Sequence, residues 1–346
     1  ANLRLALVPY ATRAQLPDAQ WADLLNLACA HARNDSPLHT RQLAGSVLAL
    51  LAENERADQV LEAVEGSLDT LSLDALLVFG LRLAQAWAVD EAVLVRLAEG
   101  GYVRHLVRSL DERTISADMN NQVLAVLVRI ALRCAALAPI LMEVYAETRD
   151  WRARSVTLVP LQWLVFAHSM EQRGDELRAT VASHLVRVVV RDASPEVQVT
   201  AAGALTATCS GMEEHEVLRV ARKFGTVLGV SVSGTDGPGK KRKKDLAEAK
   251  HSETERTGAV QGLGAVLRSF PYSVKEFTPG VLAALVQVSL GSSSDKLSTA
   301  ARACCLEFWR THADGFVERH EHKFASHGTL LEQLREVVTA GVSYYC

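Results

Sequence analysis

The sequence predicts an all-α chain, an alpha-solenoid of stacked antiparallel helix pairs. Three observations carry this reading. Apolar residues recur at three- and four-residue spacing in segment after segment, which is the pattern of amphipathic helices. No segment reads convincingly as a strand. Pro, Gly, Asp and Ser interrupt the pattern about every twenty residues, so helix pairs repeat at a period of roughly forty.

Taken in order, "QWADLLNLACAHA" opens the series and "SPLHTRQLAGSVLALLAEN" follows it as a weak copy of a repeat's second helix. "LDALLVFGLRLAQAWA", "NQVLAVLVRIALRCAAL" and "ELRATVASHLVRVVV" continue the helical periodicity. The best single repeat is "DASPEVQVTAAGALTATC". There Asp192 or Ser194 can cap a helix that takes Pro195 in its first turn. Val197, Ala201, Ala204 and Leu205 line its inner face, and small Ala202 and Gly203 are expected to let a neighbouring helix approach. A further copy, "SSSDKLSTAARACCLEFW", puts Leu297, Ala301, Cys304, Cys305 and Phe308 on one side. Repeated helix pairs of this kind indicate a HEAT-like solenoid.

One segment breaks the series. "VSVSGTDGPGKKRKKDLAEAK" combines Gly, Ser and Pro with five consecutive basic residues, Lys240, Lys241, Arg242, Lys243 and Lys244. The expected organisation is therefore HEAT-like repeats over 1–229, a basic flexible loop over 230–250, further repeats over 251–340 and a tail over 341–346. The basic run reads as a nuclear localisation signal, as a phosphate contact or as a solvated loop. No aromatic residue is interleaved with it, which argues against stacking on single-stranded nucleic acid.

Composition narrows the function classes. With 346 residues, 49% of them hydrophobic, the chain can bury a large core. A formal charge of −3 gives no general attraction to nucleic acid or to an anionic membrane. No apolar run reaches the length of about eighteen residues that a membrane span needs. Six cysteines are scattered without paired spacing, mostly in apolar helical stretches, as expected of free thiols in a reducing compartment. The chain starts at Ala1, as a piece of a longer protein would.

Catalytic and metal motifs are absent. "GLGAVL" holds Gly262 and Gly264 in a helical pattern with no strand before it, so small residues for close helix packing is the better reading than a phosphate loop. His312, His320, His322 and His327 lack ligand spacing, and Cys304 and Cys305 are adjacent rather than two apart. His168 and His184 read as hydrogen-bonded core or edge residues. "MEEHEV", with Glu213, Glu214, His215 and Glu216, reads as an acidic first helical turn. Trp21, Trp87, Trp151, Trp163 and Trp309 are expected to wedge between repeats. The chain is read as a non-enzyme without metal or cofactor.

The chain closes on "GVSYYC". Gly341 and Ser343 are expected to let the tail leave the last helix. Tyr344, Tyr345 and the Cys346 carboxylate then suit a docking tail, in which the carboxylate pairs with a receptor lysine and a tyrosine buries its ring. The alternative is that both tyrosines pack back on the last helix.

The stretch "LGAVLRSFPYSVKEFTPGVLAALVQVS", then "FWRTHADGFVERHEHKF" and the closing "SYYC" resemble the C-terminal end of the giant single-chain HEAT-repeat proteasome activators. Phe270, Pro271, Tyr272, Val274, Arg310, Thr311, His312, Tyr344 and Tyr345 carry the likeness, which covers residues 240–346. It implies a helical dome capping the 20S core particle, with Tyr344, Tyr345 and Cys346 as a hydrophobic-Tyr-any motif inserted between two α subunits to promote gate opening. It also implies ATP- and ubiquitin-independent degradation, a nuclear and cytoplasmic location, a link to DNA repair, acetylated histones as substrates and inositol phosphate as a ligand, with no residue here assigned to the last two. This chain ends in Cys where Ala is expected at the variable last position. The competing reading is a HEAT or armadillo transport or scaffold adaptor with a structural C-terminus.

Overall fold

The computed structural model describes residues 17–53, 56–86, 89–111, 116–171, 174–232, 250–313 and 316–342. Among them the secondary structure is helical, and the one β contact is an isolated bridge between Arg33 and Leu71. The chain divides into two compact units, 1–171 and 172–346.

The first unit contains α1 (Asp18–His31), α2 (Leu38–Ala52), α3 (Ala57–Glu65), α4 (Leu73–Gln85), α5 (Glu91–Glu99), α6 (Tyr102–Asp111), α7 (Ala117–Ala131), α8 (Leu137–Glu147) and α9 (Trp151–Ala167). Helix α2 packs on α4, α4 on α7 and α7 on α9, while α1, α3, α5 and α8 follow one another in a second layer. Each helix therefore meets its pair partner and its equivalent in the next repeat, which is the HEAT-like arrangement. Hydrogen bonds tie successive repeats. Tyr102 Oη donates to Leu76 O at 2.6 Å in the core. The Arg133 guanidinium donates to the carbonyls of Ala84, Ala86 and Val89, satisfying acceptors that the end of α4 leaves open.

The second unit contains α10 (Gly174–Arg191), α11 (Pro195–Ser210), α12 (Glu214–Leu228), α13 (Glu253–Arg268), α14 (Thr278–Gly291), α15 (Asp295–His312), the short α16 (Phe316–Arg319), a 3-10 turn (Glu321–His327) and α17 (Leu330–Val342). Helices α11, α13, α15 and α17 form one layer and α10, α12 and α14 the other. Helix α13 touches α10, α11, α12, α14 and α15. Its glycines make this crowding possible: a Cβ on Gly258 would stand 2.0 Å from Val189 O, and one on Gly262 would stand 2.3 Å from the Phe224 ring. The small-residue reading of "GLGAVL" is therefore what the structure shows.

Local signals behave as the sequence indicates. Ser194 Oγ accepts from Val197 N, and Asp192 Oδ1 accepts from Ser194 N at 2.8 Å, so both candidate residues take part in starting α11. Val197, Ala201, Ala204 and Leu205 are buried. The acidic turn before α12 forms a capping box between Glu213 and Glu216. Two expectations need correction. A Cβ on Gly203 would meet nothing within 4 Å, because this residue sits about 200° around the helix from buried Ala201 and faces outward. Trp151 and Trp163 are 38% and 42% exposed rather than wedged between repeats, although Trp21 is buried; Trp87 lies outside the described residues.

Among the described residues no helix is long and apolar enough to cross a membrane. The described cysteines, Cys29, Cys134, Cys209, Cys304 and Cys305, are free thiols. Burial pushes Cys134 and Cys304 up to about 11 and Cys209 and Cys305 up to about 12, so all four are protonated and behave as small apolar groups.

Candidate functional site

The proposed docking residues Tyr344, Tyr345 and Cys346 lie outside the described residues; the structure describes what carries them. Helix α17 places Leu330, Leu334, Val337 and Val338 on one face by the i, i+4, i+7, i+8 rule. All four are buried, and the helix packs on α14 and α15. The expectation that Gly341 frees the tail is not met at that residue, because α17 continues through Val342. A glycine in the last turn of a packed helix costs about 1 kcal/mol, which the buried face outweighs.

Lys240, Lys241, Arg242, Lys243 and Lys244 also lie outside the described residues. Their flanks are built firmly. Helix α12 ends on Gly229 at φ 68°, with Val230 N donating to Gly225 O at 2.9 Å, the αL stop that glycine favours. Helix α13 begins with a capping box in which Ser252 Oγ accepts from Glu255 N at 3.2 Å and Glu255 accepts from Ser252 N at 2.8 Å. The helices on either side of the basic segment, α12 and α13, pack on each other within the second unit.

The turn joining α13 to α14 holds the "FPYSV" residues. Phe270 meets Phe277 edge-on at 5.8 Å, and Lys275 Nζ lies 5.2 Å from the Phe270 ring centre. Val274 is buried, and its carbonyl accepts from Lys323 Nζ at 2.7 Å, while Tyr272 is 94% exposed. From this turn Pro271 reaches a cavity of about 320 Å³ whose other walls include Thr311 and His312 at the end of α15. Pro271 and the adjacent pair Thr311 and His312, from two segments far apart in sequence that carried the likeness to the activators, thus line one cavity. His312 is buried against Phe308, with the two rings 4.3 Å apart and 19° from parallel. Sequence reasoning did not single out Arg268 and Glu307, which form an ion pair at 3.0 Å between α13 and α15 beside the same cavity. Their 39-residue separation, one repeat, was the available signal.

A second cavity of about 310 Å³ is lined by Glu214, His215, Arg222, Phe277 and His327 among others, and reaches Val232 at the start of the basic segment. Burial and the neighbouring His312, Arg319, Lys323 and His322 hold His320 below the usual histidine range. Among the described residues no group of three His, Cys, Asp or Glu side chains is arranged to hold a metal ion.

Comparison of the chain with curated proteins gives no match. A solved structure of the TSC2 N-terminus is similar at 15% identity and a TM-score of 0.45, covering 99% of this chain and 89% of that one. A computationally designed armadillo repeat protein for modular peptide recognition is similar at 16% identity and a TM-score of 0.29, covering 82% of this chain and 99% of that one. The sequence model of the proteasome activator complex subunit 4-like C-terminal family matches residues 253–346, starting at the first residue of α13 and leaving the basic run outside. Over residues 253–346 the chain is thus similar to the proteasome activator complex subunit 4-like C-terminal family.

Proposed function

We propose that the chain is the C-terminal part of a non-catalytic cap that docks on the α ring of the 20S core particle through Tyr344, Tyr345 and Cys346 and promotes gate opening. The observation that carries this reading is the family match over 253–346, which includes those three residues. The packing of α17 on α14 and α15 supports it, since the tail then starts from a fixed root. Burying one tyrosine contributes roughly 1.5 to 3 kcal/mol, and a charge-assisted contact of the carboxylate about as much again. Together these correspond to weak affinity, about millimolar at the low end, before ordering costs are subtracted. The tail is accordingly an anchor and gate lever, and the helical repeats supply the remaining contact area. The basic run Lys240–Lys244 is assigned to nuclear import on its composition, consistent with a nuclear and cytoplasmic protein.

The test is peptide hydrolysis by purified 20S core particle with the full-length parent protein, comparing the native terminus with Tyr345→Ala and with deletion of 344–346. Stimulation should fall at least about tenfold in both variants, while co-sedimentation with the core falls less. Equal stimulation by all three proteins would return the chain to a scaffold adaptor with a structural C-terminus.

A further inference from the structure

The outward side of α9, remote in sequence from the tail, is apolar where a solvated helix is normally polar. Leu158, Leu161, Leu164 and Val165 already fill its core face. Trp163 is nevertheless 42% exposed, Phe166 73% and Met170, in the turn after the helix, 97%. With Trp151, four of the eight large apolar side chains exposed among the described residues fall in or just after this one helix. Scattered apolar residues on a surface need no explanation, but a cluster of this kind marks an interaction surface. The spacing of Trp163, Phe166 and Met170 follows one line along the helix, and the Trp163 and Phe166 rings brace each other edge-on at 6.4 Å.

The charges around this line are of one sign. Helix α7 packs beside α9, and His168 Nε2 donates to Ala131 O at 3.1 Å, which joins their C-terminal ends. Arg129 and Phe166 each stand two residues before that link, so the exposed Arg129 lies at the level of Phe166. Arg152, also exposed, precedes Trp163 on the same line by about three turns. Helix α9 has no carboxylate, and α7 has only Asp118, in its first turn, where it accepts from Gln122. Glu171, past the end of α9, is engaged by His168 Nδ1. The face is therefore an apolar ridge flanked by cations.

We propose that the α7–α9 face docks an acidic amphipathic helix of a partner protein, whose apolar stripe packs on Trp163, Phe166 and Met170 while its carboxylates meet Arg129 and Arg152. Apolar anchors at helical spacing are the way one helix is seated on another surface, and the arginines select the sign of its polar side.

The probe is a fluorescein-labelled amphipathic peptide with Leu on one helical face and Glu on the other, beside a counterpart with Lys for every Glu. Titrated at low salt with the 346-residue chain, the Glu peptide should bind saturably and at least about fivefold more tightly than the Lys peptide, a preference that shrinks as salt rises. Phe166→Asp should weaken binding at least about tenfold. Arg129→Glu combined with Arg152→Glu should reverse the preference between the peptides. Leu290→Asp changes an exposed apolar residue of the second unit and should leave binding unaltered, which separates docking from general adhesion. Absence of saturable binding, equal affinity for the two peptides, or a loss in Leu290→Asp equal to that in Phe166→Asp overturns the proposal. So does a dimer in sedimentation velocity that Phe166→Asp dissociates and the Glu peptide does not, since the face would then seat a second copy of the chain. The comparison of the two peptides in the unmodified chain decides the matter even if a variant does not fold.

Discussion

His184 in α10 shows how a single ring is set by its neighbours. Arg187 Nη2 lies 3.1 Å from its Nδ1, and because a guanidinium only donates, that nitrogen holds a bare lone pair. Burial first, and the Arg187 charge second, push its pKa down to about 4. The unfolded chain takes up this proton near pH 6.5 and the folded chain does not. The stability His184 contributes is therefore fully present above pH 6.5 and lost as pH falls from there to about 4, a change on the order of 3 kcal/mol. Urea denaturation between pH 7 and 4 should show that loss in the native chain and a shallower one in His184→Gln. The sequence placed His184, and His168 with it, among hydrogen-bonded core or edge histidines, and both are buried. Periodicity could not name the carbonyl of Ala131, which lies 3.1 Å from His168 Nε2 across 37 residues.

At the scale of the helix, α13 and α11 form an instructive pair. Both carry glycines in an apolar pattern, yet Gly258 has Val189 O where its Cβ would be, and Gly203 has open space. Gly258→Ala should therefore lower the unfolding free energy by about 1 to 3 kcal/mol through overpacking against backbone. Gly203→Ala should raise it by roughly 0.5 to 1 kcal/mol by removing helix-disfavouring freedom. Denaturant midpoints of the two variants in the same chain check both signs. Helix identity, caps and inner faces were legible because they follow from residues within one turn. The outward face of Gly203 and the exposure of Trp151 and Trp163 were not, because amphipathic period fixes a stripe only where bulky apolar residues outnumber small ones.

For the whole molecule, the all-α class and the repeat pairing were legible from the period alone. The division between Glu171 and Gln172 was not, since the helices on both sides carry the same pattern. Composition made 230–250 the conspicuous break, while α12 and α13 pack across it into one unit. Of the candidate docking and basic residues the structure describes only the supports, α17 and the caps of α12 and α13. Those supports make covalent continuity through the basic segment dispensable. With α13 held by α10, α11 and α12 from one side of the segment and by α14 and α15 from the other, a chain severed there is a self-complementing pair. A protease site introduced between Pro238 and Gly239 should, after cleavage, give two fragments that co-elute on gel filtration and part only in denaturant. Separate elution in native buffer would show that the backbone, and not the glycine-lined contacts of α13, holds the second unit together.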